Sequence, residues 1–497
     1  MKKSMLLVAM LMVAIIAAAQ VDEWLPEVDS GWIDQSNFDQ FKQQAEKSFD
    51  GFRDSANARF ARALAGKWTP FEVSKPMERP HKPEPTTPPI APKSKGGNPR
   101  QPVPEKLPAG LVQPPPLILP PEPRQLPVPS VPLESQVMEV PFYRQDVAVE
   151  APLSQKLSQC TMADNSEGSV SRFWQALTKS GLDGCVKRLL LQQSSFNLND
   201  WAMYDMTCRV AAKLFGDADR QVATTVFLLN QMEYDARIAR TKKGLACMLV
   251  MDCTVYAVPF VTMEGKRYYL FMPGNGQRDL EGNVYTYTCT FDYAHLVFDM
   301  DIVSSPKFSQ RQPSAPYRYK GITMPVNLNL VDFYANYPQV EMTVYANADV
   351  DKTFRDQVER AFRPLVKGKD GRSAVATLLN YMHYGFEYAT DDEQFGYEKP
   401  FFCEENFYYP KNDCEDRSIL FSYLVRYLLR LDVVLLEYPN HIATAVCFPG
   451  NDVRGDYYMV DGKRYVVCDP TYIGADIGMT QPDYREVKAE IIRLRPL

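Results

Sequence analysis

Three side chains near the C-terminal end of this 497-residue chain have the types and spacing for thiol chemistry. Cys414 lies in Asn-Asp-Cys-Glu-Asp-Arg-Ser (412–418) and His441 in Pro-Asn-His-Ile-Ala-Thr-Ala-Val (439–446). Asp469 lies in Val-Val-Cys-Asp-Pro-Thr (466–471). A nucleophile, a base and a carboxylate to orient the base follow in that order, 27 and then 28 residues apart. Acyl transfer through a thioester needs these three groups. Each alone has a plainer reading. A cysteine at a helix start is usually a small buried residue, a histidine at a strand end is usually packing, and Asp-Pro opens turns. The three together, on compatible elements, favour the chemical reading.

The elements that must position them are legible. Ile419, Leu420, Tyr423, Leu424, Tyr427 and Leu428 make a broad apolar face over 418–431, so a helix is predicted there with Cys414 at its start. Asp413, Glu415 and Asp416 suit a helix N-terminus, whose positive end favours a thiolate and whose free N–H groups suit an oxyanion. Strands are predicted at 433–436, 442–448, 457–460 and 464–468, the last two joined by Asp461-Gly462 as a hairpin turn. His441 then enters one strand and Asp469 ends another.

A second layer of order is an internal repeat. A shift of 197 residues carries Asp219-Arg220 onto Asp416-Arg417 and Gly265-Lys266-Arg267-Tyr268 onto Gly462-Lys463-Arg464-Tyr465 without a gap. Upstream, Leu189 to Phe196 matches Leu379 to Phe386 at a shift of 190. The same shift of 197 places Asp217, Gly244 and Met272 where Cys414, His441 and Asp469 stand. The first copy therefore lacks the reactive groups.

On these motifs the chain resembles the transglutaminase-like (papain-like thiol) superfamily. Asn-Asp-Cys-Glu-Asp resembles that family's Gly-Asp-Cys-x-Asp helix start, with Asn412 in place of glycine, and His441 and Asp469-Pro470-Thr471 match its other two motifs. The match is best from about Ala374 to Gly478. The resemblance implies an α+β fold, a cysteine-bearing helix on an antiparallel sheet, duplicated here, and Cys-His-Asp catalysis by Cys414, His441 and Asp469. The family contains peptidases, other amidases and crosslinking enzymes. Asn406 is the first candidate for a side-chain oxyanion donor, ahead of Tyr408 and Asn412. Phe401, Phe402, Phe407, Tyr408 and Tyr409 either wall a cleft or pack.

The rest of the chain supplies context. Lys2, Lys3 and the apolar run from Met5 to Ala19 read as a signal peptide over 1–19, too short for a membrane span. Export to a bacterial periplasm or beyond is the expectation. Residues 34–67 read as an amphipathic helix with a Phe38–Phe60 stripe, suited to folding back, to self-association or to a protein partner. Residues 76–132 hold 20 prolines and read as a semi-rigid linker. Two globular units follow, 138–320 without the reactive groups and 321–497 with them. A net charge of −6 gives no basic footprint for nucleic acid. The ten cysteines and four histidines show no metal-ligand spacing, so no metal or cofactor is expected. The favoured function is an exported thiol amidohydrolase or peptidase acting on a peptide or protein. The alternatives are a non-catalytic interaction scaffold and a crosslinking transglutaminase.

Overall fold

A computed structural model describes residues 51, 53–79, 88–92, 135–277, 280–309, 311–450 and 452–496. The expected leader at 1–19, residues 34–50 of the Phe-rich pattern and most of the proline segment lie outside the described residues. Residues 60–497 form one compact unit, and the residues before Phe60 belong to another. The fold is α+β, with helices packed on antiparallel sheets. Among the described residues no helix is long and apolar enough to cross a membrane.

Two sheets carry the architecture. The first contains β1 (Thr69–Glu72), β2 (Ala236–Thr241), β3 (Gly244–Val250), β4 (Phe260–Met263), β5 (Lys266–Phe271) and β6 (Asn283–Thr286), in the order β1-β6-β2-β3-β5-β4. The second contains β7 (Val433–Tyr438), β8 (His441–Cys447), β9 (Tyr457–Val460), β10 (Lys463–Cys468) and β11 (Glu490–Arg493), in the order β11-β7-β8-β10-β9. Removing β1 leaves the same strand order in both.

The registers coincide as well. Ala236 faces Leu249 as Val433 faces Val446, Cys247 faces Phe271 as Thr444 faces Cys468, and Phe260 faces Tyr269 as Tyr457 faces Val466. Every pair is related by the 197-residue shift read from the sequence. A one-residue slip would turn each apolar row to the wrong face, so shared register reflects shared burial. The turns agree too, with φ of 53° and 77° at Glu264-Gly265 and 51° and 78° at Asp461-Gly462. Two consecutive positive φ values are what a two-residue hairpin demands.

One helix lies against each sheet: α1 (Ala218–Gln231) against β2 and β3, and α2 (Cys414–Leu424) against β7 and β8. Every residue of α2 is buried, so it runs through the core rather than along the surface. On the second sheet, period-two alternation puts Val434, Leu436, Ala443, Ala445 and Val467 into one apolar cluster. His441 and Asp469 continue the β8 and β10 rows of that face. The copies differ upstream. Their helices Asp183–Phe196 and Gly371–Gly385 end at matching phenylalanines, Phe196 and Phe386. The first copy then runs through the helix Asp200–Leu214, where the second has a longer stretch with only the short helix Asp391–Gln394 and the 3-10 turn Cys403–Phe407.

The N-terminal segment is drawn into this unit. Phe60 packs its ring on Trp174, Tyr287 and Phe291, and Trp68 is buried. Folding back is thus what the C-terminal end of the Phe-rich pattern does. The residues between the first prolines also find backbone partners: Ala257 N donates to Met77 O, Ser74 bridges Phe260, and Ile90 bridges Ile473. Proline removes its own N–H but leaves its neighbours' donors and all the carbonyls free to pair. These described residues are therefore not a free spacer.

Candidate active site

Cys414 occupies the first position of α2. The turn before it is locked from several sides. Asp416 accepts from Asp413 N (3.2 Å) and from Phe401 N (2.8 Å). The buried Arg417 guanidinium donates to Asn412 Oδ1 (2.9 Å) and to Phe386 O (3.1 Å). Asn412 thus holds Arg417 and also donates to Asn406 Oδ1 (2.8 Å). One turn into the helix, Ser418 Oγ donates to Ile442 O (3.0 Å), clamping α2 onto β8 beside His441.

His441 starts β8 directly opposite Tyr438, across the tight Pro439-Asn440 turn. Its ring lies nearly parallel to those of Tyr484 and Tyr438, at 15° to each, with centroids 5.1 Å and 6.3 Å away. These flat neighbours leave the imidazole little freedom to rotate. Its Nε2 lies 2.9 Å from Asp469 Oδ2. That leaves Nδ1 as the ring nitrogen for the thiol. Cys414 is close enough to the ring to act as a hydrogen-bond partner.

Asp469 follows β10, and every face of its carboxylate is used. Oδ1 accepts from Thr471 N (2.9 Å) and Tyr472 N (3.2 Å), closing an Asx turn. Oδ2 accepts from His441 Nε2 and from Gln481 Nε2 (2.8 Å). Its backbone carbonyl lies 3.0 Å from His383 Nε2, while His383 Nδ1 accepts from Gly474 N (3.3 Å). An acceptor role for Nδ1 fixes the proton on Nε2, so His383 serves as a neutral strut. Burial keeps His383 from charging easily.

The electrostatics favour an ion pair at His441. Burial opposes charge on the imidazole, but the Asp469 carboxylate and the Cys414 side chain outweigh it and push its pKa up to about 10. Burial likewise opposes charge on Asp469, and the His441 ring with the Thr471 and Gln481 donors holds it below its usual value. The two shifts agree in sign. Around the thiol the field is mixed. Asp413 and Glu415 bring carboxylate oxygens within 4.8 Å of the sulfur, and the thiol donates to Glu415 Oε2 at 3.5 Å.

Comparison with protein-family models, with curated proteins and with solved structures returns no match.

The geometry pairs His441 with Asp469 from β8 and the end of β10, with Cys414 at the start of α2 near the same imidazole. Asn406 is fully buried; its Oδ1 is taken by Asn412, and its Nδ2 has no partner among the described residues. Phe401, Phe402 and Phe407 are core residues, packed ring to ring against Tyr409, Tyr334 and Phe386 among others, while Tyr408 is exposed. All ten cysteines are free thiols. Sequence reasoning missed Gln481, Tyr484, Tyr438 and His383. Three lie in turns or strands without a motif, and His383 sits in a helix where it reads as ordinary packing.

The first copy closes the equivalent positions differently. Asp217 caps α1 by accepting from Arg220 N (3.0 Å). At Gly244 the space beside the backbone holds the Asp219 carboxylate, which accepts from Leu245 N (2.6 Å). Met272 N donates to Gln277 Oε1 (3.1 Å). A cleft of about 390 Å³ opens beside it, walled by Trp201, Tyr204, Phe271 and Met272 and away from Cys414.

Proposed function

We propose that this chain is an exported, thiol-dependent amidohydrolase or peptidase of transglutaminase-like type, acting on peptide or carboxamide bonds. The observation that carries the reading is the buried His441–Asp469 pair, with the Cys414 thiol against the same imidazole. A charged imidazole stabilised by a carboxylate is what a thiolate needs as its counter-ion.

The steps follow from the groups present. His441 takes the Cys414 proton, and the thiolate attacks the carbonyl carbon of the scissile amide. The helix-start N–H of Cys414 faces the developing oxyanion. The C–N bond breaks as His441 returns the proton to the departing nitrogen, leaving a thioester on Cys414. Water, giving a proton to His441, attacks the thioester. The C–S bond breaks, the carboxylic acid leaves and the thiol is restored. A lysine amine in place of water would give a crosslink, and the abundance of water outside the cell favours hydrolysis.

A second reading has its own support. Asp217, Gly244 and Met272 show that this sheet-and-helix unit can stand without reactive groups, so a scaffold role for both copies is the alternative. Profiling peptide and carboxamide substrates with wild type against Cys414→Ala separates the two. Turnover present only in wild type supports the enzyme. Equal, null behaviour of both proteins across the panel supports the scaffold.

A further inference from the structure

We propose that Gln481 is a positioning residue of the site, setting how firmly Asp469 holds the His441 proton by sharing its acceptor oxygen; this rests on the thiol-enzyme reading above. Gln481 lies beyond the last catalytic motif, just before a short turn at Pro482–Tyr484. Its side chain is 7% exposed and turns inward. Gln481 Nε2 donates to Asp469 Oδ2 (2.8 Å) and lies 2.9 Å from His441 Nε2.

The Asp469 contact keeps a proton on His441 Nε2, so neither of these two nitrogens accepts from the other. Both must aim their hydrogens at the one oxygen between them, Asp469 Oδ2. Reversing the Gln481 amide would set its oxygen against the carboxylate, so the network fixes its orientation. The consequence is competition. Donors that share an acceptor oxygen each receive a weaker bond than either would alone. A carboxylate with an extra donor is also less basic. Gln481 therefore loosens the grip of Asp469 on the imidazolium. An imidazole held too tightly protonated would return its proton poorly to a leaving group, since general acids work best near the working pH.

The same turn places Tyr484 flat on the imidazole (5.1 Å between centroids), so Gln481 and Tyr484 act on His441 from one segment. The other groups facing the pair are Cys414 from α2, Tyr438 from β7 and His383, which meets the Asp469 carbonyl. Asp469 supplies the charge that opposes His441, and Gln481 is the neutral donor placed between them.

The test is a histidine titration by 1H–13C NMR on the full chain, with His441 assigned among the four histidines by His441→Gln. Gln481→Met keeps the side-chain length and removes the donor, and Gln481→Leu serves if Met is poorly tolerated. The expected result is that His441 titrates higher in the variant, by roughly half a pH unit or more, while His383 keeps its wild-type behaviour. An unchanged or lower His441 midpoint overturns the proposal, even if the variant melts at lower temperature. The readout needs no substrate. A correct shift in a protein without amidase activity would defeat the enzyme reading and leave the role of Gln481 standing.

Discussion

His441 Nε2 and Asp469 Oδ2 lie 2.9 Å apart across neighbouring antiparallel strands, both buried. The contact places one residue at the start of β8 and the other just past the end of β10. Rigid strands, rather than loops, thus set the distance, and α2 is clamped to the same strand by Ser418.

Replacing Asp469 with asparagine tests the orienting role. The amide keeps the shape but loses the charge that favours the imidazolium. Turnover on any cleaved substrate should fall by roughly 10²-fold or more, with thermal stability changed far less. A variant that retains near-wild-type turnover would show that His441 is held without Asp469.

His383→Ala should act through stability before chemistry. It removes the strut between the Asp469 carbonyl and Gly474 N and leaves the buried Asp469 carbonyl short of a partner. A loss of about 1–3 kcal/mol is expected in denaturant titration. A midpoint equal to wild type would mean that water replaces the ring at no cost.

The first copy should not accept the missing histidine. Gly244 has φ of 128°, and a Cβ there would sit 2.6 Å from Asp219 Oδ1. Gly244→Ala alone should destabilise by about 1–3 kcal/mol through backbone strain and this clash. Gly244→His, Asp217→Cys and Met272→Asp together should yield no activity. A stable, unstrained Gly244→Ala protein would remove the argument that the first copy is closed at this position.

Alkaline pH should weaken the fold. Glu404 is buried, and burial pushes its pKa up to about 8. His441 is raised to about 10, where burial opposes the charge but Asp469 prevails. Both folded values exceed the ordinary ones of about 4.5 and 6.5. Their stabilising contributions are therefore full below those ordinary values and lost as pH climbs through about 8 and about 10. Melting temperature should fall between pH 7 and 10, and Glu404→Gln should flatten the lower part of that fall. A melting temperature that rises over this range would contradict both assignments.

The local signals in the sequence carried far. The apolar runs at 433–436 and 464–468 and the Asp461-Gly462 turn locate the strands to within a few residues, because each depends on near neighbours along the chain, and the 197-residue shift places the same strands in the first copy. The helix face at 419–428 locates α2 for the same reason. What was not legible is set by distance in sequence. Thr69–Glu72 joins the first sheet against Asn283–Thr286, and no local pattern announces that pairing. Gln481 reaches Asp469 only because the chain turns back after β10. Phe401, Phe402 and Phe407 read equally as cleft or core until the rings they stack on are known.

The most direct test of the central claim is the reactivity of Cys414 in the folded protein. Iodoacetamide near pH 6 should alkylate Cys414 ahead of the other nine thiols, and His441→Ala should abolish that preference. Cys253, Cys289 and Cys447 serve as internal controls: they are more exposed, yet burial raises each of their pKa values and keeps them protonated at that pH. If Cys414 reacts no faster than these three, His441 does not activate it, and the thiol-enzyme account is wrong.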